Sequence, residues 1–238
     1  MQTLVQCCPN LKELRLKEVG KLTDAFLEEI CELTSLEYLD ISAPAESCSD
    51  TAILGLLEAV GKSLKHLDVS KHIYLTDAFL NQGLLQYCTN LEGLGIAHLP
   101  EVTDRALASF FEEWANPPLI TLDASRNPDL HTASLRAIMN HSRETLEELN
   151  INGWKDVEEE GLREIGKGSE LKKLDVGFCR NVDDFVVKGW LDGEDGKGRG
   201  VPNLKELKVW GCNRVTSLCP RRGGLAVHGV ESHIIRRV

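Results

Sequence analysis

Leucine recurs along this chain in one short pattern, Leu-x-x-Leu-x-Leu, with Ile, Val or Ala allowed at the last place. It reads Leu11-Leu14-Leu16, Leu36-Leu39-Ile41, Leu64-Leu67-Val69 and Leu91-Leu94-Ile96 in the first half. It continues as Leu119-Leu122-Ala124, Leu146-Leu149-Ile151, Leu171-Leu174-Val176 and Leu204-Leu207-Val209. The copies fall mostly about 25–28 residues apart, a period used by stacked repeat architectures. The polar residues between the leucines alternate with them, as on a strand with one buried face.

Each copy has a second half. Turn residues lead into an apolar stretch with helical spacing, as in Leu22-Thr23-Asp24-Ala25-Phe26-Leu27 followed by Ile30-Cys31. The same grammar returns at Leu75-Thr76-Asp77-Ala78 and Val102-Thr103-Asp104-Arg105. Thr or Asp just before a helix accepts hydrogen bonds from its free N–H groups, so Thr-Asp marks the helix start. The expected unit is strand, turn, helix. One such unit cannot bury its leucines alone, and neighbours must stack to share a core. The fold class predicted is therefore α/β: a leucine-rich-repeat solenoid, or horseshoe, with parallel strands on the concave face and helices on the convex face.

Residues 1–238 are expected to form a single domain of about eight repeats, with three irregularities. The glycine-rich stretch between Trp190 and Pro202 reads as a loop lengthening the seventh repeat. Gly224 to Val230 alternates like a short strand, and a C-terminal cap is expected around residues 213–238. Met1 to Cys8 resembles the tail of a helix whose strand is missing, so the chain reads as the C-terminal part of a longer protein or a truncated gene model.

The net charge is −10, which argues against a surface built to displace counterions from duplex DNA. DNA is expected to be touched at most indirectly, with Arg221-Arg222 and Arg236-Arg237 as small basic spots. No stretch reaches the ~20 apolar residues of a membrane span. The eight cysteines contain no C-x-x-C pair and read as small, reduced, apolar residues. Gly61-Lys62-Ser63 lacks the first glycine of a phosphate-binding loop and ends a helix instead of opening one. Gly61 is read as a helix C-cap. His66 and His72 have no third ligand at metal-binding spacing. No catalytic motif is present, and neither enzyme activity nor a cofactor is expected.

Binding is expected on the strand face. One column reads Arg15, Asp40, Asp68, Gly95, Asp123, Asn150, Asp175 and Lys208, acidic in its middle and basic at its ends. Its neighbour contains Tyr38 and His66. Aspartates at equivalent places focus negative potential, which suits a basic protein segment, with Tyr38, Trp154 and Trp210 as apolar anchors. The blander alternative is that each short polar side chain satisfies the turn that follows its strand.

The repeats resemble the cysteine-containing class of leucine-rich repeats. Cys8-Pro9-Asn10-Leu11 and Cys88-Thr89-Asn90-Leu91 fit its cysteine before the strand, and Cys179 and Cys212 fit its cysteine after the strand. Trp154 and Asn127 stand where that second cysteine would fall. The closing segment, Val209-Trp210-Gly211-Cys212-Asn213-Arg214-Val215-Thr216 and then Cys219-Pro220-Arg221-Arg222-Gly223-Gly224-Leu225, resembles a narrower group. That group is the leucine-rich-repeat subunit of the fungal global-genome nucleotide excision repair complex. The resemblance implies a nuclear, non-catalytic scaffold partnered with a helicase-like chromatin-remodelling ATPase. It also implies an elongin-C-like adaptor and a cullin, joined through a segment N-terminal to the repeats and absent here. The alternative is a substrate receptor of an F-box type ubiquitin ligase with no repair role.

Overall fold

The computed structural model describes residues 2–193 and 200–230, in two compact units, Met1–Asp123 and Ala124–Val238. In the first unit, strands β1 (Glu13–Arg15), β2 (Tyr38–Asp40), β3 (His66–Asp68), β4 (Gly93–Gly95) and β5 (Thr121–Asp123) lie parallel in sequence order. Their register aligns Leu14, Leu39, Leu67, Leu94 and Leu122 across the sheet. Each is buried while its strand neighbours face outward, as the alternation predicts. Helices α1 (Gln2–Cys7), α2 (Asp24–Ile30) and α3 (Asp50–Val60) return the chain behind the sheet. Next come a π-helical stretch, Phe79–Leu84, which runs into α4 (Leu85–Tyr87), and then α5 (Asp104–Glu113).

The second unit repeats this plan with α6 (Thr132–Ser142), β6 (Glu148–Asn150), α7 (Glu159–Ile165), β7 (Lys173–Asp175), α8 (Asp184–Asp192) and β8 (Glu206–Lys208). A last strand, β9 (Ala226–His228), pairs parallel to β8. Each unit is an α/β leucine-rich-repeat stack of parallel strands and packed helices. No helix among the described residues is long and apolar enough to cross a membrane.

The Thr-Asp signal works both within and between repeats. The Thr23, Ser49 and Thr103 hydroxyls accept the N–H groups of Phe26, Ala52 and Ala106, capping α2, α3 and α5. The following aspartate reaches into the next repeat. Asp24 accepts the Ser49 N–H at 2.9 Å, Asp77 accepts the N–H and hydroxyl of Thr103, and Asp184 does the same for Thr216. A helix start is thus tied to the start that follows it.

Buried aromatic and sulfur side chains make a second set of ties. Trp114 Nε1–H donates to the Cys88 carbonyl at 2.9 Å, Trp154 to Ala124 at 2.7 Å and Trp190 to Leu162 at 2.7 Å. After the strands, the place filled by Cys179 and Cys212 is filled by His72 and Trp154 in other repeats. The Cys179 and Cys212 thiols donate to Ile151 and Val176, the carbonyls just past the preceding strands. His72 Nε2 lies 2.8 Å from the equivalent carbonyl of Ile41, so that nitrogen carries the proton. The side chain varies between thiol, imidazole and indole, and the acceptor position is constant.

The residue seven places after the first leucine of each repeat adopts left-handed backbone. In the first unit these are Glu18, Ala43, Lys71 and His98, and in the second Arg126, Gly153, Phe178 and Gly211. The geometry turns the chain out of the strand while its N–H still reaches the next repeat. Lys71 N–H donates to Ala97 at 2.8 Å and Arg126 N–H to Asn152 at 2.6 Å. Only two of these eight positions are glycine, so the stacking bonds impose a conformation that a side-chain-bearing residue adopts at a cost.

The expected insertion after α8 begins and ends at one place, because Val201 N–H donates to the Trp190 carbonyl at 2.7 Å. Its residues 194–199 and the Arg236-Arg237 pair lie outside the described residues. Arg222 is no free basic spot, since its guanidinium donates to the carbonyls of Val201 and Leu204. Gly61 follows α3 as expected, but with right-handed backbone at φ −56°. A Cβ there would lie 3.1 Å from the Tyr87 backbone, so close approach is what favours glycine. The cysteines are free thiols. Burial pushes Cys48 and Cys212 up to about 11 and Cys88 to about 12, so they are poor nucleophiles.

Two predictions follow from the ties between repeats. Trp190→Phe leaves the Leu162 carbonyl without its donor and should lower stability by about 1–3 kcal/mol in urea unfolding. Trp210→Phe, at the one exposed tryptophan, should stay within about 0.5 kcal/mol of the parent. The second concerns pH. Burial, opposed by the Ile41 bond and the Asp68 charge, holds the His72 imidazole below its ordinary 6.5. The unfolded chain therefore binds a proton that the folded chain resists. The stability due to neutral His72 is intact above pH 6.5 and is lost as pH falls below it. His72→Gln keeps a donor for Ile41 and should flatten that part of the stability-against-pH curve.

Candidate functional site

In the first unit the open face of the sheet carries two rows. One runs through Arg15, Asp40, Asp68, Gly95 and Asp123, and the other through Glu13, Tyr38, His66, Gly93 and Thr121, as the strand register requires. Neighbouring strands lie about 4.8 Å apart, so the side chains of a row touch. The Arg15 guanidinium sits over the Tyr38 ring at 4.4 Å and also pairs with Glu13. The Tyr38 and His66 rings are 5.4 Å apart. Arg15, Tyr38 and His66 thus form one stack. His72, six residues along, is buried in the core, so the two histidines part company.

Strand β4 has no side chains on this face. A Cβ on Gly95 would lie 2.5 Å from the Asp68 carboxyl, and one on Gly93 would collide with the His66 imidazole and come 2.7 Å from the Thr121 hydroxyl. The Asp68 and His66 side chains therefore lean into the space that Gly93 and Gly95 leave. This role of the Gly-Leu-Gly strand went unread in the sequence, although glycine inside a strand signals close approach.

The aspartates serve the turns. Asp40 Oδ1 accepts the Ser42 N–H and Asp68 Oδ1 the Ser70 N–H, both at 2.9 Å. The structural alternative for this column therefore holds at these residues: Asp40 is buried, and Asp68 bonds the Ser70 hydroxyl as well as its N–H. Among the described residues no cation forms an ion pair with Asp40 or Asp68. Burial, with the Asp40 and Asp123 charges beside it, raises the Asp68 carboxyl above its ordinary value despite the two bonds to Ser70.

In the second unit the equivalent positions are Asn150, Asp175 and Lys208 on β6, β7 and β8. Asn150 accepts the Asn152 N–H at 3.1 Å and Asp175 the Gly177 N–H at 3.0 Å, and Asn152 donates a further bond to Asp175. Lys208 pairs with Glu206 at 3.4 Å. Trp210 is 55% exposed just past β8. Trp154 corrects the expectation of an anchor: it is wholly buried, its indole bonded to Ala124. It fills the core position after the strand, where a large side chain packs inward and cannot meet a partner.

These repeats define the chain as a leucine-rich-repeat protein. It is homologous to the DNA repair proteins rhp7 of Schizosaccharomyces pombe and RAD7 of Saccharomyces cerevisiae. The first is 34% identical over 90% of this chain and the second 29% identical over 98%. The chain spans 38% and 41% of those two proteins. Yeast Rad7, solved in complex with Elc1, superimposes with a TM-score of 0.83 at 27% identity, over 95% of this chain and 56% of that one. An internalin of Listeria monocytogenes shares the fold alone, with a TM-score of 0.57 and 17% identity. No family model matches the chain.

Asn150 shows that an amide can hold the turn without a charge. Asp68→Asn should therefore keep the Ser70 bond, remove the repulsion and raise the urea midpoint at neutral pH. The gain should vanish once the solution is acidic enough to protonate the parent carboxyl.

Proposed function

We propose that this chain is the non-catalytic, protein-docking part of a nuclear subunit that recognises damage for nucleotide excision repair. The observation that carries this reading is homology along nearly the whole chain to two DNA repair proteins. The expected partners are a helicase-like chromatin-remodelling ATPase and, through sequence N-terminal to the repeats, an elongin-C-like adaptor and a cullin. The yeast Rad7 complex with Elc1 supports the adaptor. Within the first unit, Asp40, Asp68 and Asp123 are assigned to a basic segment of a partner, beside the Arg15, Tyr38 and His66 stack. In the second unit Asn150, Asp175 and Lys208 are the corresponding contacts.

Purification of the full-length protein from nuclei, read by mass spectrometry, tests the assignment. Recovery of the ATPase with the adaptor is the expected result. Combining Asp40→Asn, Asp68→Asn and Asp123→Asn, which removes charge while keeping an amide oxygen at each place, should weaken ATPase recovery about 10-fold or more. An F-box adaptor and cullin without the ATPase would overturn the repair reading.

A further inference from the structure

The second unit exposes large apolar side chains in two adjacent repeats. Among the described residues they are Phe178, Phe185, Trp210 and Leu218, between 55% and 84% exposed. All four lie in two adjacent repeats, on the rim where the chain passes from strand end to helix start. Earlier repeats of this unit carry small or polar residues at the equivalent places: Arg126 and Gly153 for Phe178, Ser125 and Asn152 for Trp210, Ala133 and Glu160 for Phe185 and Leu218. The apolar character is thus local to this stretch of rim.

The backbone holds these side chains in position. Phe178 has left-handed backbone, its N–H donates to the Trp210 carbonyl at 2.6 Å, and its ring lies where a Cβ on Gly211 would come within 2.5 Å. The Asp183 carboxylate accepts the Phe185 N–H, and Asp184 ties the Thr216 turn that presents Leu218. Along the chain, Arg180 falls between Phe178 and Phe185, and Arg214 between Trp210 and Leu218. Each meets one aspartate, Asp156 at 3.3 Å and Asp183 at 3.0 Å, and their side chains remain 67% and 59% exposed. Aromatic and leucine side chains left in water forgo burial, and several of them on one stretch of surface mark an interaction site.

We propose that this rim docks an acidic segment of a partner protein bearing large apolar residues. Its apolar side chains cover Phe178 with Trp210 at one end and Phe185 with Leu218 at the other, and its carboxylates meet Arg180 and Arg214. The charge is opposite to that of the partner assigned to the aspartate row, so the two surfaces take different ligands.

Selection of a random 15-residue peptide library on phage against the full-length protein tests the proposal. The expected winners combine Asp or Glu with aromatic or leucine residues. Their affinity, read by fluorescence anisotropy, should fall about 10-fold or more with Phe178→Ser plus Trp210→Ser, and similarly with Arg180→Glu plus Arg214→Glu. Tyr74→Ser, at an exposed aromatic of the first unit, should leave it unchanged, and circular dichroism melts confirm that the variants are folded. Basic winners, no winners, or binding that survives both pairs of substitutions would overturn the proposal. So would concentration-dependent dimerisation abolished by Phe178→Ser plus Trp210→Ser, which would make a second copy the occupant.

Discussion

A repeat of this kind ends its strand with a buried backbone carbonyl whose oxygen can take two donors, and a buried acceptor left without a donor costs about 1–3 kcal/mol. Its own repeat supplies one donor in several cases: Trp154 N–H to Ile151, Cys179 N–H to Val176 and the Asn127 amide to Ala124. A further donor comes from one repeat on, where a side chain at a fixed place reaches back: His72 to Ile41, Trp154 to Ala124, Cys179 to Ile151 and Cys212 to Val176. Stability is therefore a property of neighbouring pairs. It also explains why the donor can change identity. What the site demands is a buried proton in the right direction, and imidazole, indole and thiol all supply one.

The same constraint shapes the exposed rim. To keep its N–H in the stack while leaving the strand, the chain enters left-handed backbone once per repeat, mostly without glycine. Each such residue then directs its side chain outward. In the second unit this places Phe178 in water beside Trp210, so a conformation imposed by stacking also sets where an aromatic is presented. Backbone hydrogen bonding and surface chemistry are coupled at this position.

On the strand face, structure and recognition draw on the same atoms. Asp40 and Asp68 hold their turns through a carboxylate oxygen, and burial, with the neighbouring aspartates, disfavours the charge on Asp68. Asn150 holds its turn equally well with a neutral amide. The turn therefore explains an acceptor at these places but not a charge. A row of carboxylates that no turn requires is what a cationic ligand would explain.

Much of this protein was legible from local sequence. The leucine register determined the strands, and Thr-Asp determined the helix starts, because strand alternation and helix capping depend on residues only a few places apart. The alternation near the C-terminus likewise foretold β9. Tertiary structure decided what depended on the next repeat. Trp154 looked like an anchor in the sequence, yet it faces the core, because its indole meets a carbonyl 30 residues earlier. Arg222 looked like a free charge but is held by Val201 and Leu204. The left-handed row carries no glycine signature, and Gly93 and Gly95 matter only through the side chains of β3 and β5 that meet over them. Each of these outcomes rests on contact between residues about one repeat apart, a distance over which local propensity carries no information and packing does.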